Sequence, residues 1–143
     1  MEKTLRLPAE LGSLEPFRLF VLQCARDLAV HESRVPQIEL VLEELLTNLV
    51  FHAYKEARGD VELACFPRGD AFCMRICDWS SPFNPLERPP PDLSAALEDR
   101  PIGGLGIHLV RKMADGLDYR RENDQNIVEI CFRRDTQQDN RDA

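Results

Sequence analysis

The sequence predicts an α+β domain: a two-layer sandwich in which a mostly antiparallel sheet carries about three helices on one face. Three observations predict it. Two apolar patterns of helical period come first, two strand pairs with tight polar turns follow, and one further helix lies between the pairs. Strands joined by tight turns pair antiparallel, and helices must cover the apolar face of the sheet they form. A length of 143 residues fits one domain with one core.

Residues 4–7 (Thr-Leu-Arg-Leu) alternate as an edge strand would, stopped by Pro8. Ser13 is placed to cap a first helix, with Pro16 in its first turn. Phe17, Phe20, Val21, Cys24, Ala25 and Leu28 then recur at helical spacing, and the helix is expected to end near His31. Pro36 opens a second helix, whose stripe of Ile38, Val41, Leu42, Leu45, Leu46, Leu49 and Val50 runs to about Tyr54 before Gly59. Residues 61–66 and 72–77 read as strands around a Pro67-Arg68-Gly69-Asp70 turn, with Phe72, Met74 and Ile76 on the buried face.

Pro82, Pro85, Pro89, Pro90, Pro91 and Pro101 make residues 79–102 unfit for a strand or a long helix. A segment of this kind inside a compact domain reads as a lid or as loose chain, with one helical turn allowed at residues 93–97. Gly103-Gly104-Leu105-Gly106 leads into a helix over residues 107–114, with Gly116 as its C-cap. Residues 117–121 and 127–132 form a second hairpin with Asp124-Gln125 in the turn. The domain is thus expected over 1–133, with a polar, frayed tail over 134–143.

Eighteen basic residues stand against 25 acidic ones, a net charge of −7, so no direct contact with nucleic acid is expected. The five cysteines (Cys24, Cys65, Cys73, Cys77, Cys131) are odd in number and form no CxxC pair. They are expected to be small buried fillers in a reducing cytoplasm. The N-terminus has no basic segment followed by an apolar run, so no signal peptide is expected. No apolar stretch approaches the ~20 residues of a membrane span.

Three groups of residues can carry chemistry. Glu44, Asn48 and His52 recur every four residues and so stack on one helix face beside the apolar stripe. A neutral Asn oxygen suits a hard cation that takes few protein ligands, and Glu can accept a proton; an ordinary polar helix edge has the same spacing. Glycines at 103, 104 and 106 ahead of a helix suit a phosphate cradle, or equally a flexible hinge. No Lys-Ser/Thr follows them, so this is not a Walker loop. Asp78 ends a strand and could accept a hydrogen bond from an exocyclic amine, or simply start a turn.

In this order (helix Glu-x-x-x-Asn, strand-end Asp, lid, glycines opening a helix) the chain resembles the RsbW/SpoIIAB-type anti-sigma factors. These are serine kinases of the histidine-kinase-like (Bergerat, GHKL) ATPase fold. The resemblance covers about Leu5 to Phe132. The N-box matches Glu44-Leu45-Leu46-Thr47-Asn48 with His52-Ala53-Tyr54. The first glycine box matches the run from Asp78 to Pro85, and the second matches Gly103-Gly104-Leu105-Gly106-Ile107.

The resemblance implies ATP and Mg²⁺ as cofactors. It makes Asn48 the Mg²⁺ ligand, Glu44 the general base for a protein serine and Asp78 the reader of the adenine amine. It places the phosphates at Gly104 and Gly106, with Arg100 from the lid on the γ-phosphate. His52, Phe83, Gly103, Leu105 and Ile107 complete the nucleotide site by the same match. Implied partners are a STAS-domain antagonist and an RNA polymerase sigma factor, and the family is commonly homodimeric. The chain departs from the family at Ser80, where glycine is usual, at Asn84 for Asp, and at Asn126-Ile127-Val128 in place of a Gly-Thr. A binding switch that phosphorylates nothing is the alternative function. A detached histidine-kinase catalytic half is a third, weakened by the lack of a phosphoacceptor helix pair.

Overall fold

The computed structural model describes residues 1–54, 58–87 and 104–135. Five strands form one antiparallel sheet: β1 (Lys3–Pro8), β2 (Asp60–Arg68), β3 (Ala71–Asp78), β4 (Gly116–Glu122) and β5 (Gln125–Arg133). Their order is β1-β2-β3-β5-β4, so the edge strands are β1 and β4. Three α-helices cover one face: α1 (Leu14–Asp27), α2 (Val35–Asn48) and α3 (Gly104–Met113). None of the described helices is long and apolar enough to cross a membrane.

The strand period decides which face is buried. Phe72, Met74 and Ile76 of β3 and Val128, Ile130 and Phe132 of β5 point into the sandwich with Leu63 and Cys65 of β2. Phe17, Val21 and Cys24 of α1 meet them, as do Ile38, Val41, Leu42 and Leu45 of α2 and Ile107 and Val110 of α3. The opposite face is held by charges: Glu129 pairs with Arg68 at 2.8 Å and Arg120 at 3.5 Å, and Arg75 with Glu2 at 2.7 Å. The register sets Asp78 opposite Asn126 across β3 and β5.

Several local expectations are corrected. The first helix stops at Asp27, not near His31. Ala29 adopts a left-handed conformation (φ 57°), Val30 N–H donates to Ala25 O and Ala29 N–H to Arg26 O. That closure satisfies the last carbonyls as a glycine C-cap would. Ser13 lies in a 3₁₀ turn and makes no side-chain cap bond. Gly116 begins β4 instead of capping α3. The second hairpin turns on Asn123-Asp124, both at positive φ (52° and 62°), so Gln125 already belongs to β5.

The glycines at 104 and 106 fall within the first turn of α3, not in a loop before it. Residues 83–87, assigned to the lid, are packed down: Phe83 rests on the core, and Leu86 is buried in a 3₁₀ turn that Asn84 caps by accepting from Leu86 N–H. Arg111 of α3 donates to Leu86 O and ties this turn to the helix. The rest of the lid (88–102), the turn at 93–97 and the tail from 136 lie outside the described residues.

The cysteines differ most from expectation. Cys73 and Cys131 stand opposite each other on β3 and β5 and are joined by a disulfide. Cys24, Cys65 and Cys77 are free thiols. The odd count hid one bonded pair, because a cross-strand pair 58 residues apart in sequence leaves no spacing signature.

Candidate functional site

α2 does not end as an α-helix. After Asn48 the chain widens into a π-helical turn over Leu49–Ala53. Such turns shift side chains off the regular stripe and are frequent at functional sites. Asn48 sits at the junction and is fully buried, at 0% exposure. Its Nδ2 donates to Glu44 Oε2 at 2.8 Å and to Glu44 O at 3.0 Å. Its Oδ1 is buried and has no hydrogen-bond partner among the described residues.

An acceptor left in this way costs about 1–3 kcal/mol, so an orphan in a packed fold asks for a partner. A hard cation would supply one. No three His, Cys, Asp or Glu side chains among the described residues form a metal cage. A lone neutral Asn oxygen is the kind of donor that suits Mg²⁺, which takes one or two protein oxygens and fills its shell with phosphates and water. His52, the third residue of the stripe, is half-buried in the π turn.

The second cluster sits where β3 ends and β5 begins. Asp78 is 2% exposed and its Oδ1 accepts from Ser80 N–H (3.0 Å), Ser80 Oγ (2.6 Å) and Asn126 Nδ2 (2.9 Å). Asn126 also donates to Ser81 O at 3.0 Å and accepts from Phe83 N–H at 3.1 Å and Tyr119 OH at 2.6 Å. Arg121 donates to Ser80 O at 2.8 Å. Phe83 is thus placed by its backbone, while its ring lies against the core.

Tyr54 joins the end of α2 to this cluster: its hydroxyl donates to Asp60 O at 2.7 Å and accepts from Trp79 N–H at 2.8 Å. Burial raises the Tyr54 phenol above its ordinary value, which keeps it protonated as a donor. Gly59 makes room for the ring, since a Cβ there would come within 2.1 Å of it.

The structure therefore brings Glu44 and Asn48 into contact, and gathers Asp78, Ser80 and Phe83 into one network. Gly104, Leu105 and Gly106 form the first turn of α3, where N–H groups have no partner within the helix and, with the helix dipole, suit an anion. Ile107, assigned to the nucleotide site, is buried in the core. Arg100 and Gly103 lie outside the described residues. Sequence reasoning missed Asn126, Tyr119 and Arg121 as members of the Asp78 network. A polar residue beginning a strand, with apolar partners two and four positions on, was the available signal for Asn126.

Comparison with known proteins bears on the family and the fold. Residues 7–132 match the model of the histidine kinase-like ATPase domain. The chain is 25% identical over 128 residues to a serine-protein kinase RsbW of Bacillus cereus, covering 87% of this chain and 80% of that one. The figures are the same for serine-protein kinase RsbW of Bacillus thuringiensis subsp. konkukian. Among solved structures, the histidine kinase domain of the Erythrobacter litoralis blue-light activated histidine kinase superposes with a TM-score of 0.51 at 20% identity, covering 71% of this chain and 45% of that one. Acinetobacter baumannii histidine kinase AdeS gives 0.50 at 13% identity, covering 94% and 70%. Matched over most of its length by the family model and sharing the sandwich of these kinase domains, the chain belongs to the histidine kinase-like ATPase domain family.

Proposed function

We propose that the chain is an ATP-dependent protein-serine kinase that also acts as an anti-sigma factor. Its substrate would be a serine of a STAS-domain antagonist in a partner-switching pathway. The observation that carries this is the Glu44–Asn48 pair, in which a carboxylate touches a buried amide whose oxygen has no partner among the described residues. The similarity to serine-protein kinase RsbW supports the choice of serine over other acceptors.

When bound, ATP would supply the γ-phosphoryl group and leave as ADP, and Mg²⁺ would offset the phosphate charge. The chain's own residues position and exchange protons. Asn48 Oδ1 offers the cation a neutral oxygen, and its Nδ2 holds Glu44 beside it. Glu44 accepts the serine proton as the hydroxyl attacks. Asp78 accepts a hydrogen bond from the adenine amine, and the first turn of α3 offers N–H groups to the phosphates. In phosphoryl transfer positioning and charge do most of the catalytic work, so a small site suffices. The role of Arg100 on the γ-phosphate belongs to the same proposal.

With a sigma factor as second partner, the protein would work in the cytoplasm beside RNA polymerase, and a homodimer follows from the same kinship. The deciding experiment is transfer of radiolabelled phosphate from ATP to a purified STAS antagonist, run beside a sigma-factor pull-down. Label on the antagonist serine supports the kinase. Antagonist binding without any transfer leaves a non-catalytic binding switch.

A further inference from the structure

Asp78 faces its surroundings unequally. Its Oδ1 accepts from Ser80 N–H, Ser80 Oγ and Asn126 Nδ2, at 3.0, 2.6 and 2.9 Å. A carboxylate oxygen offers about two lone pairs, so Oδ1 is saturated. The oxygen through which Asp78 can take one more hydrogen bond is Oδ2.

The amide that fixes this arrangement cannot turn over. Asn126 is 1% exposed. Its Oδ1 meets two donors, Tyr119 OH and Phe83 N–H. Its Nδ2 faces three acceptors: Asp78 Oδ1, Ser80 Oγ and Ser81 O. A flip would set oxygen against carboxylate and N–H against N–H, so the network itself assigns the orientation. The hydroxyl of Ser80 donates to Asp78 and accepts from Asn126, which gives this serine a place that a glycine could not fill.

We propose that Asn126 is the positioning residue of the Asp78 carboxylate, and that it makes the site select a nucleotide whose base presents an amine to Asp78 over one that presents a carbonyl there. The proposal rests on the nucleotide reading of Asp78 given above. Asn126 acts through Asp78 and does not itself meet the base. Without the amide, Asp78 is held only from Ser80 and is free to turn, so an amine and a carbonyl become less distinct to it.

The test is calorimetric titration of the full chain with Mg²⁺ and either ATP or inosine triphosphate, which carries a carbonyl in place of the adenine amine. Wild type should prefer ATP by about tenfold or more, the worth of a hydrogen bond to a charged group. Asn126→Leu should lower that ratio by about fivefold or more, and Asn126→Thr, which keeps a short donor, should recover part of it. A purely structural role would weaken both nucleotides alike and leave the ratio unchanged. Tyr119→Phe, which loosens the amide and keeps it in place, should lower the ratio by about twofold; if Asn126→Leu does not fold by thermal melt, that shift decides. An unchanged ratio in the folded variants, or no preference in wild type, overturns the positioning role and leaves nucleotide binding standing. A wild type that binds neither nucleotide overturns the nucleotide reading and this proposal with it.

Discussion

The two polar clusters of the candidate site are built on opposite principles. At the β3/β5 end, the bonds to Asp78 Oδ1 and to both ends of the Asn126 amide are made inside the protein, so the carboxylate has one fixed pose before any ligand arrives. At the end of α2, Asn48 is just as buried but keeps one acceptor unused among the described residues. A satisfied network rigidifies a fold, whereas an orphan acceptor costs stability and is retained where something else will bind it. On the proposed function, the first cluster would recognise by being rigid, and the second would react by being incomplete. Changes at α2 should therefore alter chemistry with little loss of stability, while changes at the β end should cost both.

The largest effect is expected from Glu44→Gln, which keeps shape and hydrogen bonding but removes the proton acceptor. Transfer to the antagonist serine should fall by about 10²–10⁴-fold, with sigma-factor binding kept and the thermal midpoint nearly unmoved. A loss of stability matching the loss of activity would erase the contrast between the clusters.

Next in size is the staple between β3 and β5. The Cys73–Cys131 bond spans 58 residues, so reduction should lower stability by about 2–4 kcal/mol, read as a shift in the denaturant midpoint. Cys73→Ala with Cys131→Ala should show no further response to reductant. An equal response in that double variant would move the effect to the other thiols.

Asp78→Asn comes third. It replaces an acceptor by a group that can present a donor, and should weaken ATP by about 1.5–3 kcal/mol, more than roughly tenfold. It also disturbs the bonds from Ser80 and Asn126, so it should lower the thermal midpoint where Glu44→Gln does not. Calorimetry and a melt on the same sample give both numbers.

The smallest effect is expected from Gly59→Ala. The added Cβ would press on the Tyr54 ring and cost about 1–3 kcal/mol of stability by overpacking. Tyr54→Phe in the same background should not relieve it, because the clash is with the ring and not only the hydroxyl.

What was legible in the sequence follows from how local each signal is. Phe72, Met74 and Ile76 alternate on one strand, and Leu42, Leu45 and Leu49 repeat on one helix, so both buried faces could be read from spacing. Glu44 and Asn48 were legible for the same reason, since a helix brings residues four apart together. Asn126 was not, because its meaning depends on pairing with Asp78 across 48 residues of chain. The Cys73–Cys131 bond was hidden by the same kind of distance. The early stop of α1 was hidden for a subtler reason: Ala29 takes a left-handed pose that alanine rarely adopts, and nothing in its identity announces it. Ser80 looked like a defect against a family glycine and became a hydrogen-bonding partner only once its neighbours were in place.

On the proposed function, the Asn48 oxygen that has no partner among the described residues awaits a cation carried by a nucleotide. The most direct test is to titrate ATP into wild type and Asn48→Ala, each with and without Mg²⁺, by calorimetry. Wild type should bind ATP with Mg²⁺ and lose affinity by about tenfold or more without it, the worth of a contact to a charged group. Asn48→Ala should bind weakly and show no response to the metal. Wild-type affinity that is indifferent to Mg²⁺, or an Asn48→Ala variant that responds to it as wild type does, would contradict the assignment.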